Sequence, residues 1–226
     1  MSLTLYLHPL ASFCHKVLIG LYEQNIAFEP KIVDFGDPDS HASFMRVWPV
    51  GKIPVLHDEA RGRTIPETTI IIEYLDQHCS SSTKMIPVDR ELALQARLWD
   101  RFFDNYVHVP MQKIVLDKIR GEHERDPKGV AEARATLATA YEMIDRQLGD
   151  KRFAIGSEFS IADCAATPAL FYAHTLAPFE GTHSKLAAYF ERLLERPSVR
   201  RTIGEARPYF DFYPYRENIP ARFFQF

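Results

Sequence analysis

The stretch KIPVLHDEARGRTIPETTIIIEYL, from Lys52 to Leu75, decides the fold. It begins with a short apolar run, Ile53 to Leu56, which is too short for a helix and predicts a strand. Polar residues and a glycine separate this run from a second extended piece at Thr64 and Ile65, a spacing typical of a hairpin. From about Thr68 onward the apolar residues recur with helical spacing. We therefore predict a hairpin followed directly by a helix.

Two features of this stretch predict a ligand site. Pro54 has no N–H for a strand ladder, so we expect Ile53–Leu56 to be an edge strand whose first residue offers its backbone to a peptide-like ligand. Glu67 and Thr68 fall at the start of the helix, where free N–H groups attract an anion. The alternative is structural, with Pro54 shaping an edge and Glu67-Thr68 capping a helix.

The combination of (I/V)-P with E-(S/T)-x-x-I-x-x-Y-L resembles the glutathione-binding half of cytosolic glutathione S-transferases, in a branch similar to the serine-type bacterial, theta, zeta and tau members. The resemblance implies a cis Ile53–Pro54 peptide that pairs with the cysteinyl backbone of glutathione. It also implies that Glu67 and Thr68 hold the γ-glutamyl end. Lys52 is a candidate for the glycyl carboxylate, although a lysine at an exposed strand start is also commonplace.

Composition narrows the class of protein. The chain has 226 residues, of which 46% are hydrophobic and 25% charged, and a formal net charge of −3. These values are typical of a globular protein with one large or two small domains, and the charge argues against a nucleic-acid binder. Neither a signal peptide nor a membrane-spanning segment is expected. Three scattered cysteines, Cys14, Cys79 and Cys164, lack metal-ligand spacing and favour reduced thiols in a cytoplasmic protein without a metal site.

The pattern and the resemblance together predict a thioredoxin-like domain over residues 1–79, in the order β-α-β-α-β-β-α. A Ser-rich linker is expected over 80–90, followed by an all-α domain over 91–226. The segments predicted before the hairpin are a strand at Leu3–Leu7, a helix at Phe13–Gln24, a strand at Phe28–Val33 and a short helix at Ser40–Val47.

In the second domain, the apolar spacing predicts a long helix that starts near Leu92 and bends at Pro110. Ser160 and Asp163 resemble a capping box at a helix start, similar to the capping motif of the transferases, so Asp163 is expected to be structural. Further helices are predicted at 130–148, 184–195 and 198–206. The tail carries many aromatic residues and is expected to fold back, as packing or as a pocket wall; these residues are Tyr209, Phe210, Phe212, Tyr213, Tyr215, Phe223, Phe224 and Phe226.

The turn into the first helix is where we expect chemistry, because a helix N-terminus stabilises a thiolate. In glutaredoxins and cysteine-type transferases the reactive cysteine occupies the place of Ala11, so its absence argues against a cysteine-based exchange enzyme. We expect Ser12 to donate a hydrogen bond to the glutathione sulfur, worth about 1.5–3 kcal/mol or about 1–2 pKa units. Ser12 as a plain cap, Tyr6 as the donor and Cys14 as the nucleophile remain open alternatives. His15 is expected at the surface.

The resemblance implies a glutathione transferase, with glutathione as co-substrate and a small hydrophobic electrophile as second substrate, in the manner of detoxification enzymes. It also implies a homodimer, in which Asp100 or Asp104 could reach the neighbour's glutathione. We expect the second-substrate pocket between the first-helix turn and the long helix, with Phe102, Phe103, Tyr106 and Met111 as candidates. The alternatives are a non-catalytic glutathione-binding or dimeric scaffold, or a glutathione-dependent isomerase, ether-cleaving enzyme or thiol oxidoreductase on the same fold.

Overall fold

The computed structural model of the chain describes residues 2–179 and 181–225. The strands are β1 (Leu3–Leu7), β2 (Glu29–Ile32), β3 (Val55–Asp58) and β4 (Arg63–Pro66). They form one sheet in the order β2-β1-β3-β4, in which β1 and β2 are parallel and the other neighbours are antiparallel. The helices of this part are α1 (Ser12–Glu23), α2 (Pro38–Val47) and α3 (Thr68–His78). The predicted thioredoxin-like order of elements is confirmed.

The prediction that the strand after Pro54 is an edge strand is wrong. Val55 pairs with Tyr6 of β1 on one side and with Pro66 of β4 on the other, so β3 lies inside the sheet. The ladder tolerates Pro54 because this residue lies just before the first paired position, where no ladder N–H is needed. The Ile53–Pro54 peptide bond is cis, as the resemblance implied.

α1 and α3 cover one face of the sheet with apolar side chains. Leu5 and Leu56 of the sheet belong to one buried cluster with Val17 and Leu18 of α1 and with Leu75 of α3. Because α1 follows β1 after a four-residue turn (8–11), its first residues are held beside the end of that strand. This packing fixes the position of the α1 N-terminus.

The rest of the chain is helical. Its elements are α4 (Arg90–Phe102), a π-helical segment (Phe103–His108), α5 (Val109–Ile119), α6 (Pro127–Leu148), α7 (Ile161–His174), α8 (Ser184–Leu194) and α9 (Pro197–Ala206). The irregularity predicted at Pro110 instead begins at Phe103, before the proline. Pro110 lies in the first turn of α5, where its missing N–H is tolerated. The i→i+5 pattern of the π-helical segment has no sequence signature comparable to proline.

α7 is the central helix of this part, and all of its residues are buried. It packs against α1, α4 and the π-helical segment, and so joins the helical part to the sheet part. Ser160 and Asp163 form the predicted capping box. Asp163 also accepts hydrogen bonds from the Ala154 N–H at 2.9 Å and from the Tyr189 hydroxyl at 2.6 Å. These contacts give the carboxylate a structural role, as expected.

The aromatic tail folds back onto the helical part through three short 3₁₀ turns, at Arg207–Phe212, Arg216–Asn218 and Ala221–Phe224. Phe210 and Phe223 are buried, and their rings pack against Phe171 of α7. Phe226, which belonged to the same prediction, lies outside the described residues. Across residues 2–179 and 181–225, the structure contains no helix with both the length and the apolar character needed to cross a membrane.

Candidate functional site

Three backbone segments meet at one end of the strands, where β1 and β4 end and β3 begins. Val55 is the partner of both Tyr6 and Pro66, so the residues just before β3 and just after β4 lie opposite each other. Ile53 and Pro54 therefore face the start of α3, where Glu67 and Thr68 lie. The turn that follows β1 leads to Ser12 at the same end of the strands. Residues that are distant in sequence are thus gathered by the register of the hairpin.

Glu67, at this end of the strands, has an unusual backbone conformation, with φ 68° and ψ 117°. A non-glycine residue rarely adopts such a conformation, and where it persists the surrounding structure holds it there. The Glu67 side chain is exposed, whereas Thr68 is buried at the first position of α3. A carboxylate is therefore presented to solvent beside the free N–H groups of a helix start.

Ser12 opens α1 and is 8% exposed. Its Oγ lies 2.5 Å from Nε2 of His108, the last residue of the π-helical segment. The imidazole of His108 stacks on the ring of Phe13, with centroids 3.6 Å apart and planes within 9°. Its Nδ1 is buried and has no hydrogen-bond partner within the part of the chain that the structure describes. Sequence reasoning missed His108, because no motif marks it and only the tertiary fold brings it to Ser12.

His108 is held in its neutral form. Burial lowers the pKa of the His108 imidazole to about 3, and the nearby charge of Lys16 and the ring of His15 act in the same direction. At neutral pH the ring therefore carries one proton, on either Nδ1 or Nε2. Which nitrogen carries it determines whether His108 donates to Ser12 or accepts from it.

Lys16, one turn after Ser12, is fully buried. Its Nζ lies 2.6 Å from Asp100 and 2.8 Å from Asp104 and donates to Thr69 at 3.1 Å. Thr69 in turn donates to Asp100 at 2.6 Å. This buried cluster ties α1 to α3, α4 and the π-helical segment.

The expectation that Asp100 or Asp104 could reach a neighbouring chain's glutathione is wrong. Asp100 is 0% exposed and Asp104 is 1% exposed, and both are bonded to groups of their own chain. Their position on the inner face of the helix, opposite Lys16, explains the error. A spacing argument that uses residue type alone does not distinguish an acidic residue at the surface from one that neutralises a buried cation.

Cys14 and His15 are both buried. Burial raises the pKa of the Cys14 thiol to about 12, so this sulfur stays protonated near neutrality. His15 was expected at the surface, which is wrong: its Nε2 donates to the carbonyl oxygen of Pro9 at 2.6 Å, and burial lowers its pKa to about 4. The reason is that this face of α1 packs against Tyr172 of α7.

A cavity of about 920 Å³ opens between the α1 turn, the loop before β3, α5 and the tail. Ser12, Lys52 and Ile53 line it, together with Val115, Leu116 and Ile119 of α5, and Phe212 and Tyr213 of the tail. The tail therefore serves both expected purposes, as packing and as a wall. Of the four candidates for this wall, Met111 lines it, whereas Phe102 and Phe103 lie in the core and Tyr106 is 52% exposed.

Comparison with known proteins identifies the family. Family models described as "Glutathione S-transferase, N-terminal domain" and "Glutathione S-transferase, C-terminal domain" match residues 11–78 and 127–192. A relative, "Glutathione S-transferase 3" of Glycine max, is 30% identical over 161 residues, or 69% of each chain. The chain belongs to the glutathione S-transferase family.

The chain is also similar to one relative with a different name and to one solved structure. This chain is 27% identical over 213 residues to "Stringent starvation protein A homolog" of Histophilus somni, with 91% of this chain and 92% of the relative covered. A crystal structure of a glutathione S-transferase from Methylobacillus flagellatus, solved with GSH bound, superposes with a TM-score of 0.81 at 23% identity, over 88% of this chain and 98% of that one. The two-part glutathione S-transferase fold is thereby confirmed.

Proposed function

We propose that the protein binds glutathione and holds its sulfur as a thiolate for attack on a small apolar electrophile. The observation that carries this proposal is the Ser12 hydroxyl, which lies at the start of α1 and lines a cavity that is shared with Lys52 and Ile53. The similarity to a protein crystallised with GSH supports it. The division into domains 1–79 and 91–226 with a linker at 80–90, and a location in the cytoplasm, belong to the same proposal.

Each part of glutathione has a candidate partner at this end of the strands. The backbone of Ile53, before the cis Pro54, pairs with the cysteinyl residue of the tripeptide. Exposed Glu67 binds the γ-glutamyl ammonium group, while Thr68 and the free N–H groups of α3 bind its carboxylate. The exposed ammonium group of Lys52 meets the glycyl carboxylate. The sulfur then lies near Ser12.

The chemistry is one of ionisation and positioning. The Ser12 hydroxyl donates to the thiolate, and the N-terminus of α1 adds a favourable dipole. A hydrogen bond to a charged group contributes about 1.5–3 kcal/mol, which lowers a thiol pKa by about 1–2 units. The thiol proton leaves to solvent, and the sulfur lone pair forms a bond to an electrophilic carbon. That carbon either loses its leaving group with the bonding pair or, in an activated double bond, passes the pair to the neighbouring atom, which takes up a proton.

The wall of the cavity favours an uncharged, apolar electrophile. Val115 and Leu116 line the cavity from one turn of α5 and Ile119 from the next, and the exposed Phe212 lines the same space from the tail. Burying such a surface against a ligand contributes about 25 cal/mol per Å². A charged substrate would lose its hydration against these apolar side chains, which offer it no hydrogen bond.

The exposed faces of α3 and α4 support self-association. Ile70, Leu94 and Leu98 are each more than half exposed, and the ion pair between Arg97 and Glu73 at 2.7 Å holds the two helices side by side. Exposed apolar residues of this kind typically mark an interface. A homodimer through this face is tested by sedimentation of the wild type and of a Leu94→Glu, Leu98→Glu variant, which we expect to be monomeric.

A non-catalytic scaffold is the second candidate. The presence of Ala11, where cysteine-type members carry their nucleophile, favours it. One relative, the stringent starvation protein A homologue, is not named as a transferase, which leaves this alternative open. A thiol oxidoreductase is disfavoured, because Cys14 is buried and its pKa is raised to about 12. Isomerisation and ether cleavage would use the same glutathione thiolate and differ only in the second substrate.

The ultraviolet absorbance of the glutathione thiolate, titrated with pH on the protein, separates these candidates. A bound thiol that ionises about 1–2 pH units below free glutathione supports the transferase. Glutathione that binds with an unshifted thiol pKa would point to the scaffold. A protein that binds no glutathione at millimolar concentration would contradict both.

A further inference from the structure

His108 is buried, neutral and within hydrogen-bond distance of Ser12, yet the chemistry described above does not use it. Ser12 has one hydroxyl hydrogen and cannot donate it to His108 and to a thiolate at the same time. The contact at 2.5 Å therefore either competes with the proposed role of Ser12 or enforces it. The ring tautomer decides between these two cases.

If Nδ1 carried the proton, Nε2 would accept from Ser12, and Ser12 would have only lone pairs for the sulfur. The Nδ1–H would then be buried with no acceptor among the described residues. If Nε2 carries the proton, it donates to Ser12 Oγ, and the Ser12 hydrogen is free for the thiolate. The unpartnered Nδ1 is then a bare lone pair, which a protein interior tolerates better than an orphaned N–H.

A third arrangement, in which His108 accepts the thiol proton through Ser12, conflicts with its surroundings. A protonated His108 would be a buried cation in an electrostatic environment set by Lys16 and His15 on α1, with Asp100 and Asp104 already engaged by Lys16. The pKa of about 3 means that protonation is strongly disfavoured at neutral pH. His108 is therefore unsuited to act as a general base.

We propose that His108 is the positioning residue of this site: its ring is held in place by stacking on Phe13, and as the Nε2–H tautomer it donates to Ser12 Oγ, which leaves the Ser12 hydrogen to be donated to the glutathione sulfur. The inference rests on the proposed function, because the direction of the Ser12 hydrogen bond matters to chemistry only when a thiolate lies there. Donation to Ser12 also polarises its hydroxyl and strengthens the outgoing bond.

The tautomer can be measured directly. In ¹⁵N-labelled protein, long-range proton–nitrogen correlation spectra of the histidine rings distinguish a protonated from an unprotonated Nε2, with and without glutathione. We expect the His108 signal, assigned by its loss in His108→Phe, to report a protonated Nε2 in both states. A protonated Nδ1 would overturn the proposal.

Three variants test the consequence for the thiol. His108→Phe keeps an aromatic ring to stack on Phe13 but has no donor, and we expect it to raise the pKa of the bound thiol by about 10–30% of the rise caused by Ser12→Ala, because the Ser12 hydroxyl remains but is no longer polarised. His108→Gln, whose amide can place an N–H near Nε2, is expected to restore the lower value. His174→Phe, at another buried histidine that packs on Phe179 and Phe190, is the matched control and is expected to leave the thiol pKa unchanged.

The outcomes separate this inference from the proposed function. A lowered thiol pKa in the wild type that does not change in His108→Phe overturns the positioning role alone. A thiol pKa in the wild type equal to that of free glutathione overturns the proposed function, and the positioning role with it. Failure of His108→Gln to recover a pKa that His108→Phe has raised would assign the effect to packing and would also overturn the proposal.

Discussion

Ser12 Oγ and His108 Nε2 lie 2.5 Å apart although 96 positions separate them in the chain. The contact joins the first turn of α1, in the sheet part, to the π-helical segment of the helical part. The candidate donor for the thiolate is thus held by side chains from both parts. Packing of the helical part therefore determines the geometry of a site whose ligand we place on the sheet part.

Replacing Ser12 by alanine removes the proposed donor. We expect the pKa of bound glutathione to rise by about 1–2 units, since one hydrogen bond to a charged group is lost. The rate of conjugation to an aromatic electrophile should then fall roughly 10- to 100-fold at pH 6.5, and much less at pH 9.5, where the thiol ionises without help. The pH profile of kcat/KM measures this. An equal loss at both pH values would show that Ser12 supports the fold rather than the thiolate.

The two buried histidines near the site make stability depend on pH. Burial lowers the pKa of His108 to about 3 and that of His15 to about 4, from an ordinary value of 6.5. Between those values and pH 6.5 the unfolded chain binds protons that the folded chain does not, so stability is complete above about pH 6.5 and declines as the pH falls. Each histidine contributes a slope on the order of 1 kcal/mol per pH unit.

Urea unfolding at pH 7.5, 6.0 and 5.0 checks this dependence. His108→Phe should flatten the decline of the unfolding free energy with falling pH, whereas His123→Gln, at an exposed position, should not. If the decline were the same in His108→Phe and in the wild type, the ring would titrate normally in the folded protein.

The buried Lys16 cluster gives a stability prediction. In Lys16→Met the carboxylates of Asp100 and Asp104 lose their buried cation, which costs about 3–5 kcal/mol. Arg97→Met breaks a partly exposed ion pair with Glu73 and serves as the control, with an expected loss of less than about 1 kcal/mol. The free energy of unfolding in urea measures both. Similar losses in the two variants would mean that burial of the Lys16 cluster has no energetic consequence.

The elements predicted correctly from the sequence are those that neighbouring residues in the chain are sufficient to define. β1 was predicted at its observed bounds because its leucines alternate along the chain and His8 and Pro9 end the run, and the Ser160–Asp163 capping box is a local motif. Features that depend on distant partners were missed. The interior position of β3 depends on two neighbouring strands, and the π-helical segment has no composition of its own. Likewise His15 was predicted at the surface, and nothing in the sequence marks Lys16 or His108 as buried; their burial follows from tertiary packing.

Cys14 is expected to be unreactive in the folded protein. Its thiol is buried and protonated near neutrality, with a pKa raised to about 12 by burial. We expect a thiol reagent such as iodoacetamide at pH 8 to label it at least 100-fold more slowly than free glutathione, and to label it readily in 6 M guanidinium. Mass spectrometry of the peptide that contains Cys14 measures the rate. In parallel, Cys14→Ala should retain the glutathione conjugation rate; its loss would revive the cysteine-based alternative.

The capping box at the start of α7 predicts unequal effects at its two members. Ser160→Ala removes one cap and should cost about 1 kcal/mol. Asp163→Ala leaves buried donors on Ala154, Ser160 and Tyr189 without their acceptor, and each unsatisfied group costs about 1–3 kcal/mol, so the total should exceed that of Ser160→Ala several-fold. Because α7 packs against α1, the unfolding of this helix should also disturb the Ser12 turn. Thermal and urea unfolding compare the two variants, and equal losses would show that Asp163 acts only as a helix cap.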